Sequence, residues 1–406
     1  MTETMIEANP RGFRAPGTTF MISGGLIGAV GAYLFQVIGA NAVGSEEFAP
    51  IGLLWTAFFI LATISLVPIE QYVTREVASG RKAIPNAARA TYWFAVAAAV
   101  IAVLFVTVTR ESLFAGSWQY VIQAALLVIG YALLFFGKGV LAGRRRFAEV
   151  GWVLVIETAV RLAAGIVAIQ LFATAESLGW AMVLGGFSVL GMRWWRRDGG
   201  DENATPAPAS RFLGGYVGGS TSSQLLLGGA PIAAALFGAS DSLVSVIFVT
   251  FTLYRAPLTL IFALQGRVLP YLVGLTGGND RRRLARIAGL VVSVGVVLAL
   301  MGALVGWLVG PEVVGLLFKP DFIPARSVAA LAAGGVMAAA SAQIAGQVLV
   351  AEGRTARLAL AWFLGLMVAL VVMAFYRPEP DLRVAVGFAS GESVALFFMW
   401  FLAARK

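Results

Sequence analysis

Ionisable side chains inside long apolar runs are the first candidates for chemistry in this chain. Residues Ser240 to Pro270 read SDSLVSVIFVTFTLYRAPLTLIFALQGRVLP, with Arg255 near the middle. A helix here places Arg255 roughly 21 Å from Asp241 and roughly 18 Å from Arg267. That is close to the centre of a hydrocarbon core about 30 Å thick. A cation at that depth costs about 2.5–3.5 kcal/mol on insertion scales, so it faces a protein interior or a watery cavity. Pro257 predicts a kink beside it, because proline removes a backbone donor and crowds the preceding turn. An arginine so placed either binds an anion or pairs with a buried acid or with carbonyls between helices.

Other polar groups interrupt the apolar runs. Glu157 and Arg161 are four residues apart, acid first, the favourable order for an ion pair along one helix face. Such a pair is structural or part of a relay. Glu392 sits in Ala389-Ser-Gly-Glu-Ser393, inside the last apolar segment. An acid there is costly unless protonated or paired; it reads as a proton carrier or as the partner of Arg161 or Lys138. Lys138 is close enough to Arg144 for its stem to snorkel to the surface. Glu70 and Gln71, beside Pro68, read as solvated at an interface. Gln36, Gln224, Gln343 and Gln347 add amides that either line a cavity or bond between helices.

Composition removes several chemistries. The chain has 406 residues, no cysteine and no histidine. Disulfides, thiolate nucleophiles, imidazole relays and the usual metal-ligand clusters are therefore excluded. No GxxxxGK[ST] loop or Gly-x-Ser-x-Gly elbow is present, which argues against ATP-driven work and serine hydrolysis. No cofactor or metal is expected, and the long loops of a membrane enzyme are missing.

The elements that must position these groups are membrane helices. The chain is 59% hydrophobic and 13% charged, against about a quarter charged in a soluble protein. The fold class expected is an all-α polytopic membrane protein. Twelve apolar segments can be counted, near 18–39, 49–71, 90–109, 118–142, 149–172, 177–195, 213–237, 242–266, 286–309, 326–350, 356–375 and 382–403. With the N-terminus inside, 22 of the 30 basic residues fall in cytoplasmic segments and five in outward loops. This positive-inside bias accounts for the net charge of +9; nucleic acid need not be invoked. Residues 1–17 are polar and lack the apolar core of a cleavable signal.

Residues 196–212, rich in Gly, Pro, Asp and Asn, read as a cytoplasmic linker. They divide an N-lobe of six spans over 18–195 from a C-lobe of six spans over 213–406. Both lobes begin inside, so the repeats would be parallel, around a central cleft. The offset from Ser45 to Ser240 makes Ile60 the first-lobe counterpart of Arg255. Glycines at 24, 25, 28 and 31, and at 214, 215, 218, 219, 228 and 229, run through the first span of each lobe and suit close packing or bending.

Residues Leu34–Arg75, LFQVIGANAVGSEEFAPIGLLWTAFFILATISLVPIEQYVTR, resemble the opening of the polysaccharide-biosynthesis flippases. These belong to the multidrug/oligosaccharidyl-lipid/polysaccharide exporter superfamily. Lys138-Gly139 followed by Gly143-Arg144, and Glu157 with Arg161, are similar to the fourth and fifth helices of that group. The six-plus-six layout extends the likeness over nearly the whole chain.

The resemblance implies an inverted-V transporter, not an enzyme, with spans one, two, seven and eight lining a cleft that Arg255 faces. It implies a cationic cavity holding the pyrophosphate and sugars of a polyprenyl-linked glycan, and arginine suits phosphate through bidentate contacts. Arg255, Gln36 and Gln224 are then candidates for substrate binding, and Glu392, Glu157 and Arg161 for ion or proton coupling. The first span carries no acid, which many drug-extruding relatives use there. It offers only Gln36 where peptidoglycan-precursor members have several basic residues around the cleft. The expected partners are the lipid-linked glycan, membrane lipids, and a glycan polymerase or glycosyltransferases. The expected location is the bacterial cytoplasmic membrane with both termini inside. The alternatives are a cation-coupled multidrug antiporter of the same fold and a membrane component of glycan polymerisation.

Overall fold

In the computed structural model, residues 17–78, 84–191, 220–256, 258, 272–273, 275 and 281–405 are described. The terminal tail over 1–16, the linker over 196–212, Pro257, Arg267 and the glycines from 214 to 219 lie outside them.

Twelve helical stretches follow the apolar segments: α1 Thr18–Val43, α2 Ser45–Ala78, α3 Ile84–Val108, α4 Gln119–Gly143, α5 Phe147–Leu171 and α6 Ala175–Gly191. A broken helix, α7, covers 220–228 and Ala230–Leu236; α8 Asp241–Tyr254, α9 Arg281–Gly315, α10 Arg326–Ala351, α11 Thr355–Phe375 and α12 Pro380–Ala404 complete the set. Among the described residues, nine helices are long and apolar enough to cross a bilayer, while α6 and α8 are shorter apolar helices. α9 exposes Leu300, Leu304 and Leu308, an apolar face suited to lipid.

Local chemistry sets the boundaries. α1 stops at Gly44, which sits at φ 87 and donates its N–H to the Ala40 carbonyl, a conformation that costs glycine little. The turn that follows is tight, since Ser45 already starts α2. Ser240 caps α8, its hydroxyl accepting from the Leu243 N–H at 3.3 Å. α2 widens to a π-turn over Ala62–Leu66. Pro68 follows at once and leaves the Ile64 carbonyl without its usual donor, a common origin of such a turn.

Within the first lobe α1 lies along α5, α4 packs on α2 and α3, and α6 fills the angle between α4 and α5. Within the second, α9 lies along α10, α12 packs on α10 and α11, and α7 bridges α8 and α12. Glycine permits two very close crossings. A Cβ on Gly24 of α1 would meet the Gly151 carbonyl oxygen at 2.5 Å, and Gly365 and Gly391 oppose each other in the same way between α11 and α12. Gly25 faces open space. The lobes meet chiefly where α2 crosses α8.

The unbroken helix of the eighth span is described to Tyr254; Arg255 sits at a turn, residues 256 and 258 are again helical, and 257 and 259–271 lie outside the described residues.

Candidate functional site

A cavity of about 230 Å³ lies between the lobes, walled by α1, α2, α7 and α8 and closed by Leu258. α1 contributes Tyr33 and Gln36, α2 contributes Trp55, Thr56 and Phe59, and α8 contributes Phe248, Thr252 and Arg255. From α7 the wall is Leu227 and Gly228.

Arg255 is held by its backbone, whose N–H reaches the Phe251 and Thr252 carbonyls at 3.2 and 3.3 Å. Its guanidinium carbon lies 5.9 Å from the Phe251 ring centroid. Its Nε and Nη2 are buried and have no hydrogen-bond partner among the described residues. Guanidinium donors normally find acceptors when buried, so these two can receive an oxyanion. Tyr33 donates its hydroxyl to the Thr252 carbonyl at 3.1 Å. That bond adds a second donor to the Thr252 carbonyl and ties α1 to α8 beside the arginine.

Glu392 stands behind this wall on α12. It is fully buried, and neither carboxyl oxygen has a hydrogen-bond partner among the described residues. The charge that acts on it is Arg255, and Arg255 in turn feels Glu392 and Tyr33. This corrects the expectation that Glu392 partners Arg161 or Lys138, whose acids are elsewhere. Lys138 Nζ reaches Glu70 Oε2 at 2.8 Å and lies over the Phe135 ring. Snorkelling of Lys138 and simple solvation of Glu70 are therefore also corrected: the turn of α2 beyond its π segment brings the acid within reach of α4.

Glu157 and Arg161 form the expected helical pair, 2.7 Å apart. Tyr131 of α4 joins them, donating to Glu157 Oε1 at 2.6 Å and accepting from Arg161 Nη1 at 3.1 Å. Thr158 adds a bond to Glu157 Oε2. The cluster is separated from the cavity by Trp55, whose ring centroid is 5.2 Å from the Arg161 guanidinium carbon and which stacks on Phe35. The structure thus brings Arg255 and Gln36 to one cavity with Glu392 behind them. Glu157 and Arg161 lie in the first lobe's own interior, and Gln224 is buried on α7 outside the lining. Tyr33, Trp55 and Thr56 are wall residues that no spacing in the sequence singles out.

The cavity is shut at the end that the charge pattern puts outside. Asn41 grips the loop after α9 at both ends of its amide, donating to the Leu317 carbonyl at 2.7 Å and accepting from the Lys319 N–H at 2.8 Å. The Ser45 N–H donates to Asp321 Oδ2, and the Ser45 and Ser242 hydroxyls lie 3.0 Å apart. Phe48 packs beneath against Phe248 and Phe322. Desolvation pushes the Asp321 carboxyl up, but the Ser45 hydroxyl and N–H outweigh it and hold the group below the usual carboxylate range.

No family model matches the chain, and no curated protein does. Solved structures do. An inward-facing multidrug resistance MATE family transporter of the MOP superfamily superposes with a TM-score of 0.68 at 13% identity, covering 94% of this chain and 97% of that one. The outward-facing conformation of a transporter with the same description gives 0.60 at 14% identity over 95% and 93%. A MOP superfamily transporter from Pyrococcus furiosus Vc1, described as having a binding pocket of reversed polarity, gives 0.62 at 16% identity over 95% and 93%. The fold is therefore the two-lobed MATE-like fold.

Proposed function

We propose that this protein is a flippase that carries a lipid-linked oligosaccharide, or a related phosphorylated glycolipid, outward across a bacterial cytoplasmic membrane by alternating access. The observation that carries the reading is Arg255: among the described residues, two of its buried guanidinium nitrogens lack partners at the wall of a cavity shared by both lobes. Phosphate supplies the acceptors they lack. The sugars would meet Gln36, Thr56 and the faces of Trp55 and Tyr33. Gln224 enters this reading only through a rearrangement of α7. Lipid-linked glycan as substrate implies that glycosyltransferases and a glycan polymerase act before and after this step. In proteoliposomes, Arg255→Ala should abolish transfer of a lipid-linked glycan, and Arg255→Lys should restore part of it. Undiminished transfer by the Ala variant would overturn the reading.

A second reading is a cation-coupled multidrug antiporter. The buried and unpartnered Glu392 favours it, since acids inside membrane helices mark ion and proton paths. It predicts drug resistance on overexpression, lost in Glu392→Gln and kept in Arg255→Ala.

A further inference from the structure

The packing of α8 on α12 places Arg255 and Glu392 as a pair. Both helices are even-numbered spans, so they run in the same direction. Phe251 of α8 and Phe388 of α12 meet edge to face, their ring centroids 5.0 Å apart. Arg255 and Glu392 each follow one of these rings by four residues, about one helical turn. Arg255 keeps that spacing, because its N–H still reaches the Phe251 carbonyl at 3.2 Å. The two charged groups therefore come to one level on adjoining faces.

The other ionisable groups around α12 lie towards helix ends. Residues 220–236 of α7 include none. Asp241 opens α8. On α9, Arg283 and Arg286 are near one end and Glu312 near the other. Arg326 of α10 is engaged by Glu312 and by the Trp307 and Leu308 carbonyls. Arg357 of α11 donates to the Leu402 and Arg405 carbonyls at the far end of α12. On α12 itself, Asp381 is in the first turn and Arg383 donates to the Met373 carbonyl. Among the described residues, Arg255 is the charge that acts on Glu392.

The pair is nevertheless open. Neither Glu392 oxygen bonds the guanidinium, and Nε and Nη2 of Arg255 have no partner among the described residues. One cation thus stands between a carboxyl behind it and a cavity in front of it. Two anions so close in a poorly screened interior repel strongly, and one of them must take a proton.

We infer that Glu392 and the substrate's phosphate are alternative anions for Arg255, so that the headgroup binds while Glu392 carries a proton. The inference rests on the anionic-headgroup reading above and adds the regulation of that site. When Glu392 is ionised in the empty protein, its charge and that of Arg255 cancel. On binding, one proton passes from solution to a Glu392 oxygen and the phosphate takes the guanidinium. On release both leave. Headgroup and proton therefore bind together, whereas in an antiporter proton and drug displace each other.

The test is the affinity of the purified full-length protein for a polyprenyl-pyrophosphate disaccharide between about pH 6 and about pH 9. The pyrophosphate of this probe is esterified at both ends, so its own charge is constant over that range. Affinity should fall as pH rises, approaching about tenfold per unit once Glu392 is ionised in the empty protein. Glu392→Gln, close in shape and fixed neutral, should bind throughout as the wild type does at the acidic end. Glu392→Leu, a neutral variant with no polar group to bury, should do the same. Wild-type affinity that is constant over the range, or that rises with pH, would overturn the inference. So would a pH dependence that persists in the neutral variants. Arg255→Ala separates the two claims. Undiminished binding by that variant sinks the headgroup reading; weakened binding, with wild type and Glu392 variants sharing one pH profile, sinks the proton linkage alone.

Discussion

The Ser45 N–H donates to Asp321 Oδ2 at 3.0 Å, across 276 positions of the chain. Ser45 is the first residue of α2, so a carboxylate from the second lobe caps a helix of the first. An N-terminal cap is worth roughly 0.5–2 kcal/mol, enough to bias the outer end towards closure. Asp321→Ala should therefore open it several-fold more often. Because the chain has no native cysteine, Thr56→Cys provides a single thiol in the cavity. Its reaction with an impermeant reagent added outside should accelerate in the Asp321→Ala background.

Closure should also depend on pH. The Asp321 carboxyl lies below its ordinary range in the closed state. A depressed pKa contributes stability that is fully present above the free value, about 4, and is lost as pH falls through the depressed one. Because the thiolate fraction itself falls with pH, labelling at Thr56→Cys is read against a permanently exposed thiol, and that ratio should rise as the outer solution is acidified below about pH 4. Asp321→Asn, which cannot ionise, should flatten that dependence.

A covalent version of the same contact is available. The Ser45 and Ser242 hydroxyls are 3.0 Å apart, a separation from which two cysteines can approach disulfide geometry. Oxidised Ser45→Cys/Ser242→Cys should stop transfer in proteoliposomes, and a reductant should restore it. Full activity of the cross-linked protein would show that this end need not open.

The Glu157–Arg161–Tyr131 cluster makes a prediction about stability. Both charged side chains are buried, and removing one partner of such a pair costs about 3–5 kcal/mol because the other charge is stranded. Glu157→Gln should lower the melting temperature in detergent more than the double variant Glu157→Gln/Arg161→Met. If the pair instead carries coupling, the double variant would fold well and still fail to transport.

Much of the architecture was legible because a bilayer imposes a length and a hydropathy on each helix. The Glu157–Arg161 pair was legible because its spacing lies within one helix. Arg255 announced itself by its cost in lipid. The contacts that make the site were not legible, since they join residues far apart. Lys138 chose Glu70 on α2, Glu392 came to stand behind Arg255, and Tyr33 met the Thr252 carbonyl, each set by how helices cross. The same holds for Ser45 with Asp321. Ile60, which the Ser45-to-Ser240 offset pairs with Arg255, lines a separate, apolar cavity rather than the arginine cavity.

The central claim is that Arg255 holds the substrate's phosphate. The direct measurement is the affinity of the purified protein for a pyrophosphate-linked glycolipid, compared with its uncharged analogue, in wild type and Arg255→Ala. Loss of hydrogen bonds to a charged group costs about 1.5–3 kcal/mol, so the charged ligand should weaken by roughly ten- to a hundredfold. The uncharged analogue should bind both proteins alike. Equal affinity of the two proteins for the charged ligand would contradict the account.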